Sequence, residues 1–489
     1  MNVRVGLDFG THQTKVCVNY QKKGQVPVYE FINFGQEQEI ILFLPSRVNI
    51  HYDGSVSVGN SVEKSITESF RYFKMASAED QDFRGVSGLN QDQEHYDHKR
   101  YGSYTPEVIS IIYLAFVIGM VEQRLNDSLS DGDSAVNSGS FMSRFFGGNK
   151  SNDEPSVAHT FHYQVGIPTE WSNKANYWRR RKFEQILYLA HQLNETYNFE
   201  FLRESSIEEL LTFIESEFKD LAENLTANTW ESIVKESAIS AFPEAAAGLT
   251  YLVKTEKIGE GYYLSLDIGG GSTDISFFRV NSNRTFEYLA SESLLIASND
   301  VFDSYRVLRG SDYSLEMTQD FLDNNSSYDL ANDEEFILAC RSTIRRLEKK
   351  IKKIYNQRVY HRFKKYVANT KFKDQSCYLY GGGSFLFTDE KGTRKFLEKI
   401  LLHDQGNMSL TATRTFADVD RITEMSVPDV IKPAQWKKYL PLLIVPLGLS
   451  YIQPDQSYSW SDTYYKPGEG YRNIDDHPEL FDIYKRRWV

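Results

Sequence analysis

Two short stretches, half a chain apart, constrain this protein more than any other feature of its sequence. "VGLDFGTHQTKVCV" covers residues 5–18 and "LSLDIGGGSTDISFF" covers residues 264–278. In each, an alternating apolar strand ends in an aspartate, Asp8 or Asp267. A glycine stands two residues later, a short turn carries hydroxyl side chains, and a second alternating strand follows. One such hairpin is an ordinary β-turn. Two at half-chain spacing predict two halves of similar design, each presenting one hairpin.

The residue types in these turns suggest what the hairpins hold. A glycine turn lets consecutive backbone N–H groups approach an anion. Thr11, Ser272 and Thr273 add hydroxyl donors. The aspartates would repel a phosphate, so they fit only with a hard divalent cation between, held mostly through water as Mg²⁺ prefers. Two such hairpins face to face would clamp a polyphosphate–Mg²⁺ group. A third glycine turn, "LYGGGSF" at 379–385, would let the backbone approach a flat ligand such as a nucleoside. No G-x-x-x-x-G-K-[ST] is present, which excludes a P-loop.

At 489 residues the chain is too long for one core, so two lobes are expected. A formal net charge of −12 disfavours non-specific binding to nucleic acid or to an anionic membrane surface. The three cysteines, Cys17, Cys340 and Cys377, are odd in number and far apart, which fits a reducing, cytoplasmic setting without a disulfide framework. The first residues read as a strand rather than a leader. The longest apolar run, "VISIIYLAFVIGMV" at 108–121, falls short of the ~20 residues of a membrane span and reads as a buried core helix. "YLPLLIVPLGLSYI", interrupted by Pro441 and Pro446, reads as core as well.

Along the chain, a helix is expected over 106–125, followed by a mobile insertion at 126–156 rich in Ser, Gly, Asn and Asp. Helical patterns run to about 237, with an added helical segment at about 200–237. Within "SSIEELLTFIESEF", either Ser205 with Glu208 or Ser206 with Glu209 forms a capping box. A basic helix over roughly 334–366 has the ordinary reading of a solvated face. The pairs "HYDH" at 95–98 and "HTFH" at 159–162 bring too few ligands for zinc and read as loop histidines.

Taken together, these motifs resemble the actin and DnaK-type heat-shock-70 ATPase superfamily. "LDFGTHQT" is similar to its first phosphate motif, "LDIGGGSTD" to its second and "LYGGGS" to its adenosine motif. "FLPSRV", "VGNSV", "FRYFKM", "VGIPTEW", "FPEAAAGL" and "NDVFD" follow in the family's order, so the resemblance spans about residues 3–452. It implies an α/β, two-lobed fold of duplicated ribonuclease-H-like lobes without a peptide-binding β-sandwich. Lobe I would take 1–258, lobe II 259–452, and an aromatic tail at 453–489 would pack on the body.

The resemblance implies ATP/ADP and Mg²⁺ as cofactors, with Asp8 and Asp267 organising the metal's shell. Gly10, Thr11, His12, Gly269, Gly270, Gly271, Ser272 and Thr273 would contact phosphates. Lys74 would carry charge on the transferring phosphoryl group. Gly381, Gly382, Gly383 and Ser384 would meet the adenosine, with Arg345, or its neighbour Arg346, stacking on it. Phe242 stands where the chaperones carry a catalytic glutamate, and Glu244, just after Pro243, is the candidate for orienting water. Pro168 would relay the nucleotide state. The expected activity is slow ATP hydrolysis, with lobe closure read by an unidentified partner protein in a chaperone-like role, and with neither nucleic acid nor membrane insertion. The alternatives are an actin-like filament-forming protein, a nucleotide-gated scaffold without turnover, and a sugar kinase, which shares the fold.

Overall fold

The computed structural model describes residues 1–21, 27–35, 40–60, 65–78, 101–131, 160–172, 177–224, 227–254, 258–310, 333–360, 376–383, 399–401, 409–414, 425–426, 433–451 and 459–460. The chain opens with β1 (Asn2–Phe9) and β2 (Gln13–Tyr20), antiparallel, with Asp8 opposite Lys15. β3 (Val28–Phe31) pairs antiparallel with β2, and the two-residue β4 (Leu44–Pro45) pairs with the start of β2. β5 (Arg47–His51), β6 (Val56–Val58) and β7 (Ile66–Arg71) make a separate antiparallel sheet.

The short α1 (Phe73–Ala78) and the long α2 (Pro106–Asp131) lead into β8 (Thr160–Ile167), which pairs parallel with β1. A 3-10 turn (Thr169–Ser172) comes next, then α3 (Tyr177–Glu204), α4 (Ile207–Asn224), α5 (Ala227–Glu236), β9 (Ile239–Pro243) and α6 (Glu244–Lys254).

The second half repeats the plan. β10 (Gly261–Ile268), β11 (Thr273–Val280) and β12 (Phe286–Leu294) form an antiparallel meander, followed by α7 (Ser298–Arg309) and α8 (Glu334–Ile354). β13 (Ser376–Tyr380), β14 (Lys399–Leu401), β15 (Ser409–Arg414), β16 (Met425–Ser426), α9 (Pro433–Tyr451) and β17 (Ser459–Trp460) complete the described chain.

The two large sheets share a six-strand plan, to which the first adds β4 and the second β14. The first runs β16-β3-β2-β1-β8-β9 and the second β14-β15-β13-β10-β11-β12-β17. In both, an antiparallel meander of three strands places its first strand centrally, and two parallel strands extend the sheet beyond it. In both, a two-residue strand adds parallel to the outer meander strand, β16 on β3 and β17 on β12. The central strands are buried because helices cover the sheets: Val3, Val5, Leu7 and Phe9 alternate along β1 with no exposure, as do Leu264, Leu266 and Ile268 along β10.

Between the sheets lie α6 and α9. Ala245, Ala246, Ala247 and Leu249 of α6 and Leu443, Ile444 and Leu447 of α9 share one apolar cluster with Phe278, Tyr288 and Tyr380 of the second sheet. The helices touch through small residues. A side chain at Gly448 would meet the Ala247 carbonyl at 1.7 Å, and one at Gly6 would meet the Pro446 carbonyl at 2.2 Å. The division expected at residue 258 follows chain order. α9, from the far end of the chain, nonetheless packs on β1, β2 and β8 of the first sheet.

Several local expectations change or sharpen. α2 continues to Asp131 because no helix breaker stands before Gly132, so 126–131 is helix rather than insertion; the remaining residues to 156 lie outside the described residues. The 21-residue apolar window of α2 is long enough to cross a membrane, yet 78% of it is buried within the protein against α1 and α3. α4 begins with the second of the two capping boxes: Ser206 N–H donates to Glu209 Oε2 at 2.8 Å and Glu209 N–H to Ser206 Oγ at 3.3 Å. α3 is broken at Asn198 (φ 48°), whose Oδ1 accepts from the N–H groups of Glu200 and Phe201. Of the tail, Ser459–Trp460 pairs with β12; the rest of 453–489 and the "HYDH" segment lie outside the described residues.

Candidate functional site

The twin hairpins come together at their turns around a cavity of about 210 Å³. From the first turn, Asp8, Gly10, Thr11, His12, Gln13 and Lys15 line it. From the second come Asp267, Gly269, Gly270, Ser272 and Asp274. Lys74 of α1, Glu244 of α6, Ser298 of α7, Gly381–Gly383 after β13, and Leu442 and Val445 of α9 complete the wall.

Each turn is held by hydrogen bonds that leave its inner face to the cavity. In the first, Ser46 of the "FLPSRV" segment donates its Oγ–H to the Gly10 carbonyl at 2.7 Å and its N–H to the His12 carbonyl at 2.7 Å. In the second, Gly269 N–H donates to the Ser272 carbonyl at 2.9 Å. The third turn is tied to the end of β10 by Gly383 N–H and the Ile268 carbonyl, 2.7 Å apart. Gly381 has φ +84°, and a Cβ there would lie 2.2 Å from Asp267 Oδ1, so only glycine fits both its backbone and its neighbour.

The charge pattern is the centre's main physical feature. Residues seven places after each aspartate face it across the hairpin, Lys15 opposite Asp8 and Asp274 opposite Asp267. The first pair is an ion pair of 2.9 Å, while the second sets like charges side by side. Lys74 Nζ lies 2.8 Å from Glu244 Oε1, both side chains buried. Four carboxylates thus share the cavity with two amines, leaving a formal excess of two negative charges.

Burial makes that excess costly. Asp267 is pushed well above the ordinary carboxylate range by burial, and further by Glu244 and Asp8. Burial and then Glu244 push Asp274 up to about 7, although its carboxylate accepts the Thr169 N–H and the Ser293 hydroxyl. Burial raises Glu244 against the opposing pull of Lys74. Burial alone would lower the Lys74 amine, but Glu244 and Asp8 hold it above its ordinary value.

The expected site residues divide as follows. Asp8, Lys74, Glu244 and Asp267 meet in the cavity, with Gly10, Thr11, His12, Gly269, Gly270, Ser272, Gly381, Gly382 and Gly383 around them. Gly271 and Thr273 are outside its lining, and the Thr273 hydroxyl donates to the Ile296 carbonyl at 2.6 Å, a core contact. Arg345 is exposed on α8, away from the cavity, and Arg346 pairs with Asp300 at 2.8 Å. Ser384 lies outside the described residues. Phe242 packs against the apolar cluster between the sheets, and Glu244 is the side chain at the cavity wall.

Sequence reasoning passed over Lys15, Asp274 and Ser298. The first two had a signal, since each stands at the same offset from its hairpin's aspartate. Ser298 had none.

The donors and acceptors fit a polyphosphate with a hydrated divalent cation. Glycine turns, hydroxyls and two amines suit the phosphates, and the surplus of two negative charges suits one divalent ion. Among the described residues no three His, Cys, Asp or Glu side chains converge to hold a metal directly. A volume of about 210 Å³ suits the phosphate portion of a ligand. Sites for a whole drug-sized molecule run to roughly 300–1,000 Å³.

Comparison with known proteins adds little to this geometry. No protein-family profile matches the chain, and no curated protein matches it. Among solved structures, one titled "pCBH ParM non-polymerisable quadruple mutant" aligns over 92% of this chain and 98% of its own, at 13% identity and a TM-score of 0.37. At that level of likeness, the fold rests on the strand order and pairing given above.

Proposed function

We propose that this chain is an ATPase of the actin-like superfamily, binding ATP with Mg²⁺ between the two hairpins and hydrolysing it slowly. One observation carries the proposal: two sheets that share a six-strand plan present equivalent Asp-x-Gly turns to one cavity, where buried Lys74 and Glu244 meet Asp8 and Asp267. Twofold repetition of a nest-and-carboxylate hairpin is what a polyphosphate with a cation needs and what a core-packing turn does not. The heat-shock-70 resemblance of the motifs agrees with this site. A chaperone-like reading of closure by a partner protein is the corresponding proposal for its biological use.

Bound there, ATP would supply the phosphoryl group and Mg²⁺ the countercharge. The chain's own residues then have separable tasks. Asp8 and Asp267 would hold the cation, with water between them and it. Lys15, Thr11 and Ser272 donate to phosphate oxygens, and Lys74 stabilises the charge developing on the terminal phosphate. Glu244 accepts a proton from the attacking water. Lys74 holds Glu244 through Oε1 at 2.8 Å, which leaves Oε2 to accept from water.

Single-turnover hydrolysis by the full chain tests this, with Glu244→Gln and Asp267→Asn beside wild type. The expected result is a rate lowered by ~100-fold or more in Glu244→Gln with binding retained, and weakened Mg²⁺-dependent binding in Asp267→Asn. Equal rates in all three proteins would remove Glu244 from the reaction. Binding by wild type without turnover would make the chain a nucleotide-gated scaffold.

A further inference from the structure

Where the resembling family carries a small hydroxyl residue, the first turn of this chain has His12, and the structure commits that side chain to the opposite half. His12 Nε2 donates to Asn299 Oδ1 at 2.8 Å, joining the first turn to the first residues of α7. The imidazole lies flush on the second turn: a Cβ at Gly270 would fall 1.5 Å from His12 Cδ2. Its other side meets the edge of Tyr72, ring centroids 5.4 Å apart.

Asn299 is held in place for this contact. It is 9% exposed, its N–H donates to the Gly270 carbonyl at 3.0 Å, and its Nδ2 is buried with no hydrogen-bond partner among the described residues. A buried amide with one end unsatisfied is costly. The bond made by its other end, to His12, offsets that cost and fixes the side chain's direction.

We propose that His12 and Asn299 form a latch across the phosphate site, joining its two turns. The imidazole covers the glycine turn over which an anion's oxygens would lie. A polyphosphate enters only by displacing the ring from Asn299, so the latch sets a threshold for ligand entry and couples entry to separation of the two turns. This rests on the nucleotide-binding reading of the cavity. The ligand class is a polyanion carrying its own divalent cation.

The test uses the full chain and two readouts. Hydrogen exchange at the amides of Gly269–Gly271 is followed without ligand, and Mg²⁺-tripolyphosphate binding is measured by calorimetry. In His12→Ala and in Asn299→Ala, exchange is expected to accelerate. Binding is expected to tighten two- to tenfold, the range of about one net hydrogen bond. The double variant should match either single one, because both remove the same bond. Asn299→Asp keeps the acceptor and should keep wild-type protection. Unchanged exchange in both alanine variants, or weaker binding in both, would overturn the latch. If wild type binds neither Mg²⁺-ATP nor Mg²⁺-tripolyphosphate, the nucleotide reading falls, and the exchange data still decide whether the His12–Asn299 bond holds the turns together.

Discussion

Asp274 is the residue whose position costs the fold most visibly. It faces Asp267 across the hairpin, where its counterpart Lys15 faces Asp8 with the opposite charge. Its pKa is 3.8 for the free side chain and about 7 in the folded protein, first because of burial and then because of Glu244. Between those values the folded state binds a proton that the unfolded state does not. Stability from this group is therefore complete below pH ~4 and is lost as pH rises towards ~7. The thermal midpoint of the ligand-free protein should rise as pH is lowered from 7.5 to 5.5. In Asp274→Asn, which keeps an acceptor for Thr169 or Ser293, the rise should be blunted. An identical pH profile in the two proteins would show that other groups govern it.

At the same scale, the sequence showed some of these residues and hid others. Asp8, Asp267 and the glycine turns were legible because hairpin chemistry is local: strand, carboxylate and turn stand next to one another. Glu244 was legible through its motif. Lys15 and Asp274 could have been found by overlaying the twins. The bonds from Asp274 to Thr169 and from His12 to Asn299 could not, because they depend on how one half meets the other, which no local pattern encodes.

Among the elements, α6 and α9 set the distance between the sheets. Glycine and alanine at their crossing let the two backbones approach, so that Glu244 at the start of α6 and Val445 of α9 both reach the cavity wall. Gly448→Ala would place a methyl 1.7 Å from the Ala247 carbonyl, a backbone atom that no rotamer change can move. The expected loss is about 2–3 kcal/mol by urea unfolding, at the upper end of overpacking costs. Gly259→Ala, whose added methyl meets nothing within 4 Å, should stay within about 0.5 kcal/mol of wild type. Equal effects would mean that the crossing relaxes freely. α1, which carries Lys74, is short, and cations from α3 hold its end. Lys182 Nζ donates to the Ser77 carbonyl at 2.7 Å and pairs with Glu107 at 2.6 Å, while Arg179 Nε donates to the Ala78 carbonyl at 3.1 Å. These partners were invisible in sequence, because they depend on how α3 packs against α1 and α2.

For the whole molecule, the cavity's unbalanced charge predicts how stability responds to ligand. A ligand bound only by the folded state stabilises it by about 2.7 kcal/mol at a hundredfold excess over Kd. Mg²⁺-ATP should therefore raise the melting temperature by several degrees. ATP with EDTA should raise it less, because without the cation the phosphates would face Asp8, Glu244, Asp267 and Asp274 uncompensated. A larger rise without the cation would contradict the proposed division of charge between Asp8, Asp267 and the metal.

The passage of α9 back to the first sheet bears on how the protein is made. β1, β2 and β8 come from the first third of the chain, yet the helix that covers Gly6 ends at Tyr451. Domains commonly fold as they leave the ribosome, amino-terminal part first. Here the leading sheet keeps part of one apolar face without its covering helix until residues 433–451 have followed. Completion of the first sheet's apolar face therefore waits for a helix that lies about 270 residues beyond β8 in the chain.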